Sequence, residues 1–234
     1  LNWSLNTGFV TLAQRLGNGQ SITREARDTM YDYFHNRLRL GQKTGIELAN
    51  ESAGTVFSPD EVEGNEVRYS NMSFGQGLDA TVLQVTAGFS AIINGGNYYK
   101  PTIIAGEVLD DGTFKKAETE KPLQAGVVKQ STSDQMLEMT HVARTSSFPH
   151  IDKPGYYIGG KTGTSQVSVN GRYSENETIG TYLGFGGSEK DPQYVIMVSI
   201  SGKDKLMAGN RDAMPIFTDI SNWMLDYLKI QPKG

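Results

Sequence analysis

Cysteine is absent from the 234 residues, which excludes disulfides, thiolate nucleophiles and sulfur-ligated metals together. Histidine is scarce. His35, His141 and His150 are not paired at H-x-x-x-H spacing, and no acidic cluster has the spacing of a calcium loop. The sequence therefore supports neither a metal site nor a cofactor, and the histidines read as surface or satisfied interior side chains. An excess of positive charge is also missing: 22 Lys and Arg stand against 26 Asp and Glu, net -4, which lacks the basic footprint of a nucleic-acid binder. No apolar run approaches the roughly 20 residues that cross a bilayer, and no basic region leads into an apolar stretch at the N-terminus. What is present, 37% hydrophobic and 21% charged residues with 27 glycines, describes a globular chain rich in turns, long enough to bury one sizeable core.

Periodicity predicts mixed α and β structure. Phe9, Leu12, Ala13 and Leu16 fall at helical spacing, so a first helix is expected over 3–16 with Ser4-Leu5-Asn6 in its first turn and Gly17 as its stop. Thr23 can cap a second helix reaching about Leu40, with Met30, Tyr33, Phe34, Arg37 and Leu38 on one face. Residues 50–77 look irregular, a helix is expected from Thr81 to Gly95, and Asp110-Asp111-Gly112 reads as a hairpin turn after an extended stretch over 98–108. A further helix from Thr132 or Ser133 should turn Met136, Leu137, Thr140 and Ala143 inward. After Lys161 the period becomes two, giving three antiparallel strands joined by Asn170-Gly171 and by "SEKDP". A last helix carries Met214, Phe217, Ile220, Met224, Leu225 and Leu228 as an apolar stripe that packs on the sheet.

Residues 155–165, "GYYIGGKTGTS", satisfy two templates. Gly155, Gly160, Lys161 and Thr162 fit the phosphate-binding G-x-x-x-x-G-K-[ST], whereas Lys161-Thr162-Gly163 is also the K-T-G of penicillin-recognising serine enzymes. A phosphate loop needs a helix to start directly after Lys-Thr, so that amides and dipole face the phosphate. Here strand-forming residues and a hairpin turn follow, which argues against nucleotide. A strand bearing Lys161, Thr162, Gly163 and Thr164 at a cleft suits another ligand: the ammonium attracts an anion, the two hydroxyls bind a carboxylate, and Gly163 admits a ligand backbone. Such a strand can accept an extended peptide as a neighbour. A second K-T-G, Lys43-Thr44-Gly45, follows a helix end and lacks a second hydroxyl, so it reads as a structural turn.

Together "SLN", "KTGIELANE", "FGQGLDATVLQVTAGFSAIINGGNYYKP", "GGKTGTSQ", "GTYLGFGGSEKDPQYVIMVSI" and "MPIFTDI" resemble the transpeptidase domain of class B penicillin-binding proteins, in order and separation, over nearly the whole chain. The resemblance implies an α+β (mixed α/β) fold, an antiparallel sheet packed by helices, with residues 1–234 as the C-terminal portion of one domain. It implies serine acyl-enzyme chemistry on peptidoglycan stem peptides and binding of β-lactams. The family's S-x-x-K is not found: no serine here has a lysine three positions on. An N-terminal segment of the same domain, with the nucleophile and two strands of the sheet, is therefore expected to be missing. This chain alone should then be inactive, and the strand "VIMVSIS" should be left as an open, self-associating edge.

By the same resemblance, Ser4 relays a proton toward the leaving amine, and Asn6 bonds the substrate amide and steadies the absent lysine. Lys161 supplies positive potential, Thr162 and Thr164 hold the terminal carboxylate, and the Thr164 amide is one oxyanion donor. Gln166 stands where some relatives carry a basic residue, which shifts carboxylate binding further onto the threonines. The resemblance also implies an anchor upstream, action on the extracytoplasmic face of the bacterial membrane, and cell-wall synthesis or division proteins as partners. A β-lactamase or D,D-carboxypeptidase of the same fold, or a non-catalytic peptidoglycan-binding sensor module, remains as an alternative.

Overall fold

Side-chain caps set the helices of the first two thirds of the chain. Thr81 and Gln84 form a reciprocal capping box, each side chain accepting the other's backbone N–H at 3.1 Å, and α4 runs from there over Val82–Ile93. The Gln84 side chain is fully buried, and its amide also donates to Gln42 O and Ala53 O, so the burial leaves no donor idle. The computed structural model describes residues 1–118, 121–169, 172–188 and 191–233. They fall into two units, Phe9–Gln130 and a second made of Leu1–Gly8 with Ser131–Gly234. Among the described residues the buried apolar side chains form three clusters rather than the one core expected from length.

In the unit Phe9–Gln130, one cluster joins Ala13 of α1 (Asn6–Gln14) to Ile22, Met30, Val56, Tyr69 and Met72. The first helix is shorter than its pattern suggests. Ser4 has φ 52, a left-handed conformation that a right-handed helix cannot include, so α1 starts at Asn6 and Ser4 lies before it. Its apolar stripe is also not buried: Leu12 is 58% and Leu16 45% exposed. The second helix, α2, spans Arg24–Tyr31 with Thr23 as cap, then widens into a π-helical segment over Asp32–Arg37 in place of the continuous helix to Leu40. A short helix, α3 (Glu66–Met72), capped by Asn65 on Arg68 N at 3.0 Å, occupies part of the stretch expected to be irregular. Under α4, Ala91, Tyr98 and Val127 form another cluster, beside β1 (Asn97–Tyr98) and its partner β4 (Gln124–Ala125). Between these, β2 (Gly106–Val108) and β3 (Phe114–Lys116) make the expected hairpin, closed at Gly112 with φ 82.

The other unit holds the larger sheet. Strands β5 (Tyr157–Val169), β6 (Arg172–Ser188) and β7 (Asp191–Ile200) pair antiparallel in that order. The first strand begins before Lys161, not after it, because Gly159 and Gly160 are needed as strand residues: a Cβ on Gly160 would stand 2.6 Å from the Tyr182 ring, and one on Gly159 2.4 Å from that of Phe185. The Asn170-Gly171 turn, and Glu189 and Lys190 of the second turn, lie outside the described residues. Cross-strand partners share a face, so Thr162, Tyr182 and Val198 lie on one side with Gly160, Gly184 and Ile196, and Lys161, Leu183 and Met197 on the other.

Helix α6 (Met214–Tyr227), entered through one π-helical turn over Gly209–Ala213, covers the first of these faces. It buries Phe217, Ser221 and Leu225, a stripe four residues apart, while Ile220 and Leu228, expected inside, are 38% and 42% exposed. Contact is so close that a Cβ on Gly184 would lie 2.6 Å from the Phe217 ring.

Helix α5 (Gln130–Ser147) starts two residues earlier than the first expected position and buries two residues that periodicity did not indicate, Ser133 and Arg144. The Arg144 guanidinium donates to both Asp152 oxygens at 2.8 and 2.6 Å, to Tyr182 OH at 2.8 Å and to Thr218 Oγ1 at 3.0 Å. It also lies against the Tyr182 and Phe217 rings. Burial alone would push the Arg144 pKa down, but Asp152 and Tyr182 more than offset this and raise it, so the charge persists inside. One cation thus ties α5 and α6 to the central strand and to the segment leading into β5.

Candidate active site

Strand β5 is an edge. It pairs with β6 on one side, and among the described residues no strand pairs with the other, so this side of β5 can receive an extended ligand as a neighbouring strand. Strand geometry continues from Lys161 to Val169. No helix begins after Lys161-Thr162, which removes the amide cradle and dipole that a phosphate loop requires. The nucleotide template is a coincidence of letters.

Lys161 is half-buried, and its Nζ donates to Thr162 O at 3.0 Å and Thr162 Oγ1 at 3.1 Å. Among the described residues no carboxylate pairs with it, and burial pushes its pKa down from the usual lysine value. An ammonium that has lost part of its water and meets only neutral oxygens gains more from an arriving anion than a solvated one would. Thr162 shares the α6-facing side of the sheet with Thr164. Thr164 is exposed, and its Oγ1 accepts the Gly209 N–H at 3.2 Å. A Cβ on Gly163 would lie 2.4 Å from Thr181 Oγ1, so a side chain there would have to displace that hydroxyl. Gln166 donates to Ser174 O at 3.2 Å and is thereby tied to the neighbouring strand.

Ser4 and Asn6 belong to the same unit as the sheet, through the inclusion of Leu1–Gly8. Both are exposed, and their segment is tied to the end of α5 where Ser147 Oγ bonds Asn2 Oδ1 at 2.6 Å. The left-handed Ser4 is one of few non-glycine residues at positive φ, a costly conformation of the kind found at functional turns. Among the described residues neither side chain hydrogen-bonds Lys161, whose ammonium is turned onto its own strand.

The other K-T-G is a turn held from within. Glu51 accepts from Thr44 N at 2.7 Å, Thr44 Oγ1 at 2.6 Å and Gly45 N at 3.0 Å, and Gly45 has φ 78. Those bonds lower the Glu51 pKa, the Thr44 hydroxyl first among them. With Thr44 buried and its N–H and hydroxyl both given to Glu51, this triplet has no threonine donor for a ligand carboxylate. Residues that the sequence did not single out are Gly209 and the loop before it. Their positions depend on packing against β5 and β6, and "LMAGNRDA" carries no periodicity or motif of its own.

A family model described as "Penicillin binding protein transpeptidase domain" matches residues 1–222. Stage V sporulation protein D of Bacillus subtilis is 34% identical over 98% of this chain and 34% of its own length, and the penicillin-binding protein PbpB of Mycobacterium tuberculosis is 31% identical over 95% and 32%. A crystal structure of penicillin-binding protein 3 from Mycobacterium tuberculosis, complexed with ampicillin, superposes with a TM-score of 0.79 at 28% identity, covering 99% of this chain and 50% of that one. The chain spans about a third of the length of these curated relatives. No helix among the described residues is long and apolar enough to cross a membrane. The mixed fold, with its antiparallel sheet packed by helices, is that of the penicillin-binding protein 3 transpeptidase structures, and the chain belongs to the penicillin-binding protein transpeptidase family.

Proposed function

We propose that the chain is the C-terminal portion of a peptidoglycan D,D-transpeptidase domain, which cross-links stem peptides through a serine acyl-enzyme and is acylated by β-lactams. The observation that carries this reading is the edge placement of Lys161, Thr162, Gly163 and Thr164, with a half-buried ammonium that no carboxylate among the described residues pairs with. In the reaction a serine hydroxyl attacks the carbonyl between the two terminal D-alanines, the leaving amine takes a proton, and the acyl group passes to an acceptor amine. Lys161 contributes positive potential toward the substrate carboxylate, and the Thr162 and Thr164 hydroxyls donate to it. The Thr164 N–H donates to the oxyanion, Ser4 relays the proton to the leaving amine, and Asn6 bonds the substrate amide.

The nucleophile does not come from these 234 residues, since none of their serines begins S-x-x-K. A segment upstream of Leu1 supplies it, along with the membrane anchor. The protein then acts on the extracytoplasmic face of the bacterial membrane, among cell-wall synthesis or division proteins. Labelling with a fluorescent penicillin tests the reading. The protein carrying the upstream segment should become covalently tagged and lose the tag with Lys161→Ala, whereas residues 1–234 alone should not be tagged. Covalent tagging of residues 1–234, or undiminished tagging of the Lys161→Ala protein, would refute it.

A further inference from the structure

The loop from β7 to α6 ends on a glycine that rests on the backbone of the edge strand. A Cβ at Gly209 would stand 2.4 Å from Thr181 O, 2.5 Å from Gly163 O and 2.9 Å from Gly163 N. All three are sheet backbone atoms and cannot yield, so any side chain at 209 lifts the loop away from β5. The approach is stapled on both sides. Thr178 Oγ1 donates to Met207 O at 2.6 Å, Thr178 N donates to Lys205 O at 3.0 Å, and Asp212 Oδ2 accepts from Ala208 N at 2.7 Å. Held in this way, Gly209 N–H reaches Thr164 Oγ1 at 3.2 Å.

We infer that Gly209 is a positioning residue for ligand recognition, whose N–H fixes the Thr164 hydroxyl as a donor toward a terminal carboxylate. A hydroxyl has one proton to give and two lone pairs. With one lone pair occupied by Gly209 N–H, the Thr164 proton is directed away from the loop, and Thr164 is an exposed residue that a ligand can reach. An ionised carboxylate only accepts, so it needs donors that already point at it, and a rotor ordered beforehand adds no ordering cost when the ligand arrives. The inference rests on the reading of β5 as a carboxylate-binding strand and adds the group that orients it.

The test is an NMR titration of the protein carrying the upstream segment, its nucleophilic serine replaced by alanine so that the ligand is not turned over, with N-acetyl-D-alanyl-D-alanine and, separately, with its C-terminal amide, which has the same shape without the charge. That parent protein prefers the carboxylate. Gly209→Ala and Thr164→Val each weaken carboxylate binding about tenfold, the size of one hydrogen bond to a charged group, and leave amide binding within about twofold. Thr164→Ser keeps the preference. The double variant binds no more weakly than Thr164→Val, because the glycine acts only through that hydroxyl. Asp212→Ala, which loosens the loop without adding bulk against the sheet, reproduces the Gly209→Ala pattern should that variant fail to fold. If the parent protein shows no preference for the carboxylate, the reading of the strand falls and this inference with it. If the preference exists and survives in Gly209→Ala and Asp212→Ala, or if both ligands weaken equally, the role of Gly209 alone is refuted.

Discussion

Arg144→Met removes the only charge that the described residues bury completely, with 0% of its side chain exposed. The substitution keeps most of the aliphatic volume between the Tyr182 and Phe217 rings, so the loss is mainly polar. It leaves the Asp152 carboxylate, Tyr182 OH and Thr218 Oγ1 without their donor. Breaking a buried ion pair from one side costs about 3–5 kcal/mol. The Asp152 side chain keeps 17% exposure and can recover some water, which places the expected cost near the lower end, about 3 kcal/mol. For a chain of this size, that corresponds to a fall in Tm of about 6–12 °C. Urea unfolding followed by circular dichroism measures the loss. Asp152→Leu should cost a similar amount, because it strands the arginine, and the double variant should lose clearly less than the sum of the two, with a coupling of about 2 kcal/mol. A single-variant loss below about 1 kcal/mol, or an additive double variant, would refute the view that this cation holds the sheet to its helices.

Three further outcomes follow from the geometry. Lys161→Met should stabilise the chain at neutral pH, because folding no longer keeps a partly desolvated ammonium. The folded pKa is lowered, so the unfolded chain holds more protons between that value and the ordinary lysine value of about 10.4; the unsubstituted chain regains stability as pH rises through this window, and thermal melts of the two should converge above it. Gly184→Ala should cost about 1–3 kcal/mol by overpacking against Phe217 and Gly159 O, measured by the shift of the urea midpoint. In the protein carrying the upstream segment, Lys43→Ala should leave penicillin labelling unchanged while Lys161→Ala abolishes it; equal losses would contradict the assignment of the ligand site to Lys161 alone.

Local signals in the sequence carried much of the fold. Thr81, Thr23 and Asp110-Asp111-Gly112 each fix their own neighbourhood by hydrogen bonds within a few residues, and each was legible, although the part that Gln84 plays in the cap at Thr81 was not. Asn65 does the same for α3, yet it sits among Gly, Pro and Glu that read as loop, and a seven-residue helix offers too little periodicity to stand out. The short α1 was misread because Ser4 takes a left-handed conformation that its residue type does not announce. The π-helical widening after Tyr31 is a backbone adjustment with no composition of its own.

The candidate site divides in the same way. Lys161, Thr162, Gly163 and Thr164 are contiguous, and the alternation after them marked a strand. Arg144 and Gly209 act across the fold, one through a pair with Asp152 and Tyr182 and the other by the absence of a side chain over the sheet backbone. No spacing in the sequence encodes either.

The central claim is that Ser4, Asn6 and the strand from Lys161 to Thr164 serve one ligand. Its most direct test is amide chemical-shift mapping with N-acetyl-D-alanyl-D-alanine. The amides of residues 4–6 and of 161–164 should shift together and follow one binding curve. Shifts confined to one of the two segments, or two curves with different midpoints, would contradict it.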